Sequence, residues 1–183
     1  MRPRNAAATR EAILASALEA FTRAGYDGVG VREIAEAAGV TAMLVNRYFG
    51  SKEGLFAEVV EAAMAERTVL TGDPATLAAD LAASLVRRTA PEAARLDPFL
   101  LMLRSAPNPR AADILRAGIE RHVEKHLTDL LPGREPTGPA LALSVIAGFW
   151  VMRTLLGSTA LAHADEAVVV AKLEKVFEVL LAE

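Results

Sequence analysis

The chain has 183 residues, 52% of them hydrophobic and 23% charged, with a formal net charge of −3. That length allows one domain or two small ones, with apolar material enough for a real core. Cysteine is absent, which excludes disulfides, thiolate metal sites and cysteine nucleophiles. The charge is uneven: residues 1–52 hold seven basic and five acidic side chains, a net +2 that leaves −5 for the remainder. A basic head on an acidic body fits a partner that is anionic at one end only.

The opening, MRPRNAAATREAILA, has basic residues but no apolar run, so it reads as a flexible arm and not as a secretory signal. Thr9 is the expected N-cap of the first helix, with Glu11 in its first turn. Ile13, Leu14, Ala17, Leu18 and Phe21 form its apolar stripe, and Gly25 closes it. Asp27-Gly28 is a turn pair. Two short helices follow, around Val31–Ala38 and Ala42–Phe49, with a turn at Gly39–Val40–Thr41. Gly39 can take the left-handed conformation that ends a helix, and Thr41 supplies a hydroxyl where the next one needs a cap. Val31, Ile34, Val45 and Phe49 complete a three-helix core with Ile13, Leu14, Leu18 and Phe21, while Ala42, Met43, Asn46 and Arg47 point outward. Two helices crossing at such a turn make a helix-turn-helix, over about residues 30–49, whose second helix can enter a major groove. Ser51 caps a fourth helix carrying Leu55, Phe56, Val59, Val60 and Met64, with Lys52 beside its first-turn donors at an anion site.

These residues resemble a known family. GYDGVGVREIAEAAGV, followed by LVNRYFGSKEGLF, is similar to the DNA-binding domain of the TetR (tetracycline repressor) family over about the first 60 residues. The coinciding features are Gly25-Tyr26, Ile34-Ala35, Gly39-Val40, Tyr48-Phe49 and Ser51-Lys52-Glu53. The resemblance implies a homodimeric regulator: a helix-turn-helix domain over residues 1–52 and an all-helical ligand-binding and dimerisation domain over 53–183, about nine helices in all and no strand. It implies that Thr41, Ala42, Met43, Asn46, Arg47, Tyr48 and Lys52 face DNA; Arg32, on the preceding helix, joins them. Two positions depart from the commoner pattern. Gly30 stands where Ser or Thr usually caps the second helix, and Asn46 where Tyr is frequent, so the operator is not transferable from relatives.

The chemistry of these side chains stands apart from the resemblance. Lys52, Arg47 and Tyr48 suit phosphate oxygens, contacts that position a protein without reading sequence. Asn46 could read adenine and Arg47 guanine instead, a good bidentate contact discriminating by about 1–3 kcal/mol. Ala42 and Met43 offer only apolar contact, such as to thymine methyls. On an ordinary helix the same polar residues would simply be solvated.

Further along, Thr71-Gly72-Asp73-Pro74 is a break, with Asp73 or Thr71 capping a helix through Leu77, Leu81, Leu85 and Val86. Pro91 and Pro98 bracket an irregular stretch. Phe99, Leu100, Met102 and Leu103 make a short apolar helix, and Arg110–Leu131 a longer amphipathic one ended by Pro132-Gly133. Pro136-Thr137-Gly138-Pro139 reads as loop. Ala140–Ala162 is nearly all apolar and Asp165–Leu181 amphipathic, more apolar face than one domain must bury, which marks an interface. In TetR-like proteins the last two helices pair with their copies, which assigns Leu143, Ile146, Trp150, Leu173, Val176, Phe177 and Leu180 to a dimer interface and makes the operator an inverted repeat. Ala140–Ala162 is long enough to span a bilayer, but Arg153 near its middle, with Thr154, Ser158 and Thr159, argues for a soluble, cytoplasmic chain with no membrane partner.

The resemblance also implies a small-molecule effector. Phe99, Met102, Leu103, Phe149 and Met152 could line a pocket beside Trp150, with Arg153 as a charged handle, although such residues at helical spacing also make plain core. His122 and His126 lie four apart, but a zincin needs Glu directly after the first His, and Val123 is there; His163 is the only other histidine. No metal, cofactor or catalytic constellation is expected, and the chain reads as no enzyme. The expected function is a DNA-binding regulator, a repressor released by a hydrophobic ligand; a soluble carrier of small molecules is the alternative.

Overall fold

In the computed structural model, which describes residues 3–65, 73–90, 98–133 and 137–182, the described residues are helical with no strand. They form two compact units. The first gathers α1 (Pro3–Ala24), α2 (Val31–Ala37), α3 (Ala42–Phe49), α4 (Lys52–Ala65), α6 (Pro98–Ser105) and α7 (Pro109–Ile119); the second holds α5 (Leu77–Arg88) and the chain beyond residue 120. The division therefore does not fall at residue 52. Leu55, Phe56, Val59 and Val60 of α4 are buried in the same core as α1–α3, and Leu101, Ala111 and Leu115 join them from α6 and α7.

Aromatic packing centres the first unit. Phe56 meets Phe21 and Tyr26 edge-on at ring-centroid distances of 5.1 Å and 5.0 Å, geometry that suits the ring quadrupoles. Helix α1 starts at Pro3, not at a Thr9 cap. Proline is well placed at the start of a helix, and Ala6, Ala7 and Ala8 are the strongest helix formers, so the helix propagates through the expected arm. At its other end Gly25 has φ +72°, and Arg104 Nη1 donates to the carbonyl oxygens of Thr22 and Arg23, each at 2.7 Å. The Tyr26 amide donates to the buried Ser105 Oγ at 3.0 Å. Helix α7 begins with Asn108 accepting from the amides of Arg110 and Ala111, and Pro109 in the first turn. Near its end Gly118 lets α7 approach α4 closely: a Cβ there would lie 2.7 Å from Val60 Cγ1.

The second unit comprises α5, α8 (Lys125–Leu130), α9 (Thr137–Trp150), α10 (Thr159–Ala162) and α11 (Glu166–Leu180). Leu77, Leu81, Leu85, Leu127, Ala142, Leu173 and Phe177 fill its core. Thr76, not Asp73, is the N-cap residue of α5. Asp73 instead accepts from the Ala75 amide, and the Thr76 hydroxyl donates to Asp80 Oδ2 at 3.0 Å; Thr71 and Pro91 lie outside the described residues. The expected loop through Pro139 is the first turn of α9, where proline's missing amide hydrogen costs nothing. The long apolar segment is interrupted by a five-residue π turn at Val151–Leu155, and a second π turn occupies Glu120–Glu124 between α7 and α8. Gly157, at φ +62°, then breaks the chain before α10. Thr137–Leu155 is long and apolar enough to cross a membrane, and Ala142 and Trp150 within it are buried in the fold.

Candidate nucleic-acid interface

Helices α2 and α3 are joined by backbone chemistry that leaves little freedom. Gly39 takes φ +67°; its amide donates to the Glu36 carbonyl at 3.0 Å and the Val40 amide to the Ala35 carbonyl at 2.9 Å, the paired bonds of a Schellman motif. Thr41 follows with extended backbone, and its hydroxyl accepts from the Leu44 amide at 3.4 Å. Gly30 leads into α2 with no side-chain cap, as its lack of a side chain requires. Arg23 Nη2 donates to Glu33 Oε1 at 2.9 Å, linking α1 to α2.

The eight residues of α3 then divide by face. Val45 and Phe49 are buried in the head core, whereas Met43, Asn46 and Arg47 are exposed. Positions 43, 46 and 47 follow the i, i+3, i+4 spacing of one helical face. Met43 is 82% exposed, a large apolar side chain left almost wholly in water. Ala42 and Tyr48 are half-buried at the edges of this face, packed against the head core, while Thr41 and Arg32 are exposed beside it. Lys52 is placed differently from a freely solvated lysine: its Nζ lies 4.5 Å from the Tyr26 ring centroid. Arg10 is drawn into the head, ion-paired with Glu58 at 2.8 Å and 5.1 Å from the Phe49 ring centroid. Glu53, next to Lys52, is held below its ordinary pKa by its own backbone amide, the Ser51 hydroxyl and Arg110. Burial and the Glu53 carboxylate push the Tyr26 hydroxyl above its own.

A projecting helix of this form, with an amide, a guanidinium and an apolar group on one face, is suited to a groove of base edges flanked by phosphates. Comparison with known proteins gives the kinship. Residues 13–59 match the tetR family of bacterial regulatory proteins, and residues 77–181, more than half of the chain, match the tetracyclin repressor-like C-terminal domain. The chain belongs to the TetR family. Members of the TetR family are transcriptional regulators and not enzymes. The HTH-type transcriptional regulatory protein RaaS of Mycobacterium tuberculosis is 65% identical over 40 residues, which are 22% of this chain and 18% of RaaS. NalD, the secondary repressor of the MexAB-OprM multidrug efflux pump in Pseudomonas aeruginosa, has the same fold with a TM-score of 0.65 at 22% identity, over 95% of each chain. The multidrug binding protein EbrR, solved with ethidium, aligns with a TM-score of 0.68 at 21% identity, over 92% of this chain and 98% of its own.

The residues expected in the TetR-type body are less concentrated than the exposed face of α3. Phe99, Met102 and Leu103 lie on α6 in the first unit, and Phe149, Met152 and Arg153 in the second. Met102 packs against the first core and Phe149 against the second. The Arg153 side chain is only 7% exposed. Its Nη1 donates to the Val86 carbonyl at 3.1 Å and to Thr89 Oγ1 at 3.2 Å, its Nη2 to Glu166 Oε1 at 2.9 Å. The anionic group facing it is thus a side chain of the protein itself.

The expected interface residues also divide. Trp150 is buried, and Leu173 and Phe177 lie in the core of the second unit, a correction to their assignment to a surface, because α11 turns Leu173 and Phe177 inward among the core residues contributed by α5. Leu143, Ile146 and Leu180 are half-buried and Val176 is exposed. The exposed apolar side chains of α9–α11 and the π turn are Leu141, Met152, Leu155, Leu156, Val168, Val176 and Val179. Most of these do not stand out in the sequence, since a segment apolar on every side gives no periodicity from which to choose a face. Among the described residues no group of three His, Asp or Glu side chains is gathered as a metal site; His163 Nδ1 instead lies 2.8 Å from the Thr159 carbonyl oxygen.

Proposed function

We propose that the chain is a cytoplasmic, homodimeric repressor that binds an inverted-repeat operator through α3 and is released by a hydrophobic small molecule. The outward face of α3 carries this reading: Met43, Asn46 and Arg47 project together from a helix anchored behind by Val45 and Phe49. Asn46 and Arg47 are the base-reading pair; Thr41, Tyr48, Lys52 and Arg32 serve phosphates. The exposed apolar side chains of α9–α11 supply a surface for a second copy, and a two-fold dimer presents two recognition helices to two related half-sites. The release step is supported by the kinship to NalD, a repressor of a multidrug efflux pump, and to EbrR, solved with ethidium. A ligand that favours the DNA-incompetent geometry shifts the population away from the operator.

Selection of bound genomic fragments by the purified chain, repeated with apolar and cationic ligands, tests all three parts. The expected result is enrichment of fragments sharing one inverted repeat, with loss of binding on adding an effector. A strictly monomeric protein that retains no duplex at low salt would overturn the reading in favour of a small-molecule carrier.

A further inference from the structure

Lys52 is held at the edge of the recognition surface by groups distant in sequence. Its ammonium lies over the Tyr26 ring, an attraction between a cation and the ring's electron-rich face. Tyr26 is fixed from behind, because its amide is bonded to the buried Ser105 hydroxyl. Two carboxylates stand beside this platform. Asp27, next in sequence to Tyr26, accepts from Asn108 Nδ2 at 2.8 Å. Glu53, next to Lys52, accepts from Arg110 Nη1 at 3.0 Å. Both are thus engaged from the start of α7, within the same compact unit.

We propose that Arg110 is a positioning residue for the phosphate contact of Lys52, acting by occupying the Glu53 carboxylate. The inference rests on the DNA-binding reading above. A free carboxylate one residue from Lys52 has two effects on a phosphate contact. It competes for the ammonium, and it repels the incoming anion at a range where salt does not fully screen it. With Arg110 on Glu53 both effects are weakened, and the ammonium rests on an uncharged ring from which it can transfer to a phosphate oxygen. Asn108 plays the matching part on Asp27 as a neutral donor.

The test is the salt dependence of binding to a duplex selected by the wild-type protein, measured by fluorescence anisotropy. Each phosphate neutralised contributes about 0.9 to the slope of log K against log salt. Lys52→Ala should lower the slope by about one unit per protomer, and Arg110→Ala should do nearly the same. Combining the two should lower it no further than Lys52→Ala alone. Glu53→Gln in the Arg110→Ala background should restore the slope, as should Arg110→Lys in part. Arg116→Ala removes an equal charge from α7 at its pair with Asp113 and should leave the slope unchanged. If Arg110→Ala keeps the wild-type slope while Lys52→Ala lowers it, the positioning role is overturned and the DNA-binding reading survives. If Arg110→Ala lowers both melting temperature and slope and Glu53→Gln restores neither, its role is structural and the proposal fails. If Lys52→Ala also leaves the slope intact, the phosphate assignment itself falls.

Discussion

The carbonyl oxygen of Arg104 passes so close to Gly25 that a Cβ on Gly25 would lie 2.2 Å from it. The glycine therefore answers two demands together, a φ of +72° that closes α1 and a space through which the backbone of α6 runs. Gly39 meets only the first, at φ +67° with nothing within 4 Å of where a Cβ would stand. Alanine at Gly39 should cost about 1–2 kcal/mol, the left-handed penalty alone. Alanine at Gly25 should cost clearly more, because backbone and not a flexible side chain must move. Urea denaturation of the two variants checks this; equal losses would mean that the approach of α6 relaxes freely.

Burial and Glu53 raise the Tyr26 pKa, and the sign of the effect on stability follows. The unfolded chain ionises this phenol near its ordinary value of about 10, while the folded chain resists until higher pH. Stability from the neutral hydroxyl is thus complete below the ordinary value and lost as pH rises through the folded one. Tyr26→Phe should flatten the decline in melting temperature above about pH 10. An unchanged decline in that variant would place the alkaline sensitivity elsewhere.

How much of this is legible without coordinates depends on whether the cause is local. Gly25, Gly39, Thr41 and Ser51 act within a few residues of themselves, so the helix ends of the head and the exposed face of α3 can be read directly. Arg104, Asn108 and Arg110 act on partners 81, 81 and 57 residues away, and no pattern in the chain announces such pairs. The early start of α1 is hidden when Thr9 is weighed as a cap above the alanine run before it. Trp150, Leu173 and Phe177 are buried where an interface is expected, Leu173 and Phe177 because the apolar stripe of α11 is the one that packs on α5. For Trp150 the cause is that α9 is apolar nearly all round, so periodicity selects no face.

Arg153 separates two contributions that a sequence would merge. Its partner Glu166 is 60% exposed, so the ion pair itself is worth little. The bonds to the Val86 carbonyl and Thr89 lie in a part-buried setting, and their loss leaves acceptors unsatisfied at about 1–3 kcal/mol. Arg153→Ala should therefore destabilise the fold by about that amount, whereas Glu166→Gln should cost under about 0.5 kcal/mol. Thermal melting at two salt concentrations checks both. A large, salt-sensitive loss in Glu166→Gln would show that the charge pair dominates.

For the proposed dimer, the exposed apolar side chains make the direct test. Val179 is 75% and Leu156 65% exposed, so aspartate at either leaves the protomer's own packing intact. Both variants should remain folded by circular dichroism yet sediment as monomers, and binding to the two half-sites should weaken at least about tenfold, a loss of about 1.4 kcal/mol. Phe177→Ala, which opens a cavity in the core, should instead lower the melting temperature sharply. Dimers that persist in both aspartate variants would put the interface on another surface.

Met43 offers a test of base reading that does not require the operator to be known beforehand. Its side chain is almost wholly in water, and burying one methyl group against it is worth about 0.8 kcal/mol. Thymine presents such a methyl in the major groove and uracil does not, while their hydrogen-bonding groups are the same. In a selected duplex, replacing each thymine by uracil in turn should find one position per half-site where affinity falls about two- to fivefold. With Met43→Ala the same replacement should have no effect, because the partner of the methyl is gone, and the difference between the two losses is the coupling energy of the pair. If every uracil duplex binds the variant and the wild type with the same ratio, Met43 does not read thymine, and the apolar end of α3 is only a spacer that sets how deeply Asn46 and Arg47 enter the groove.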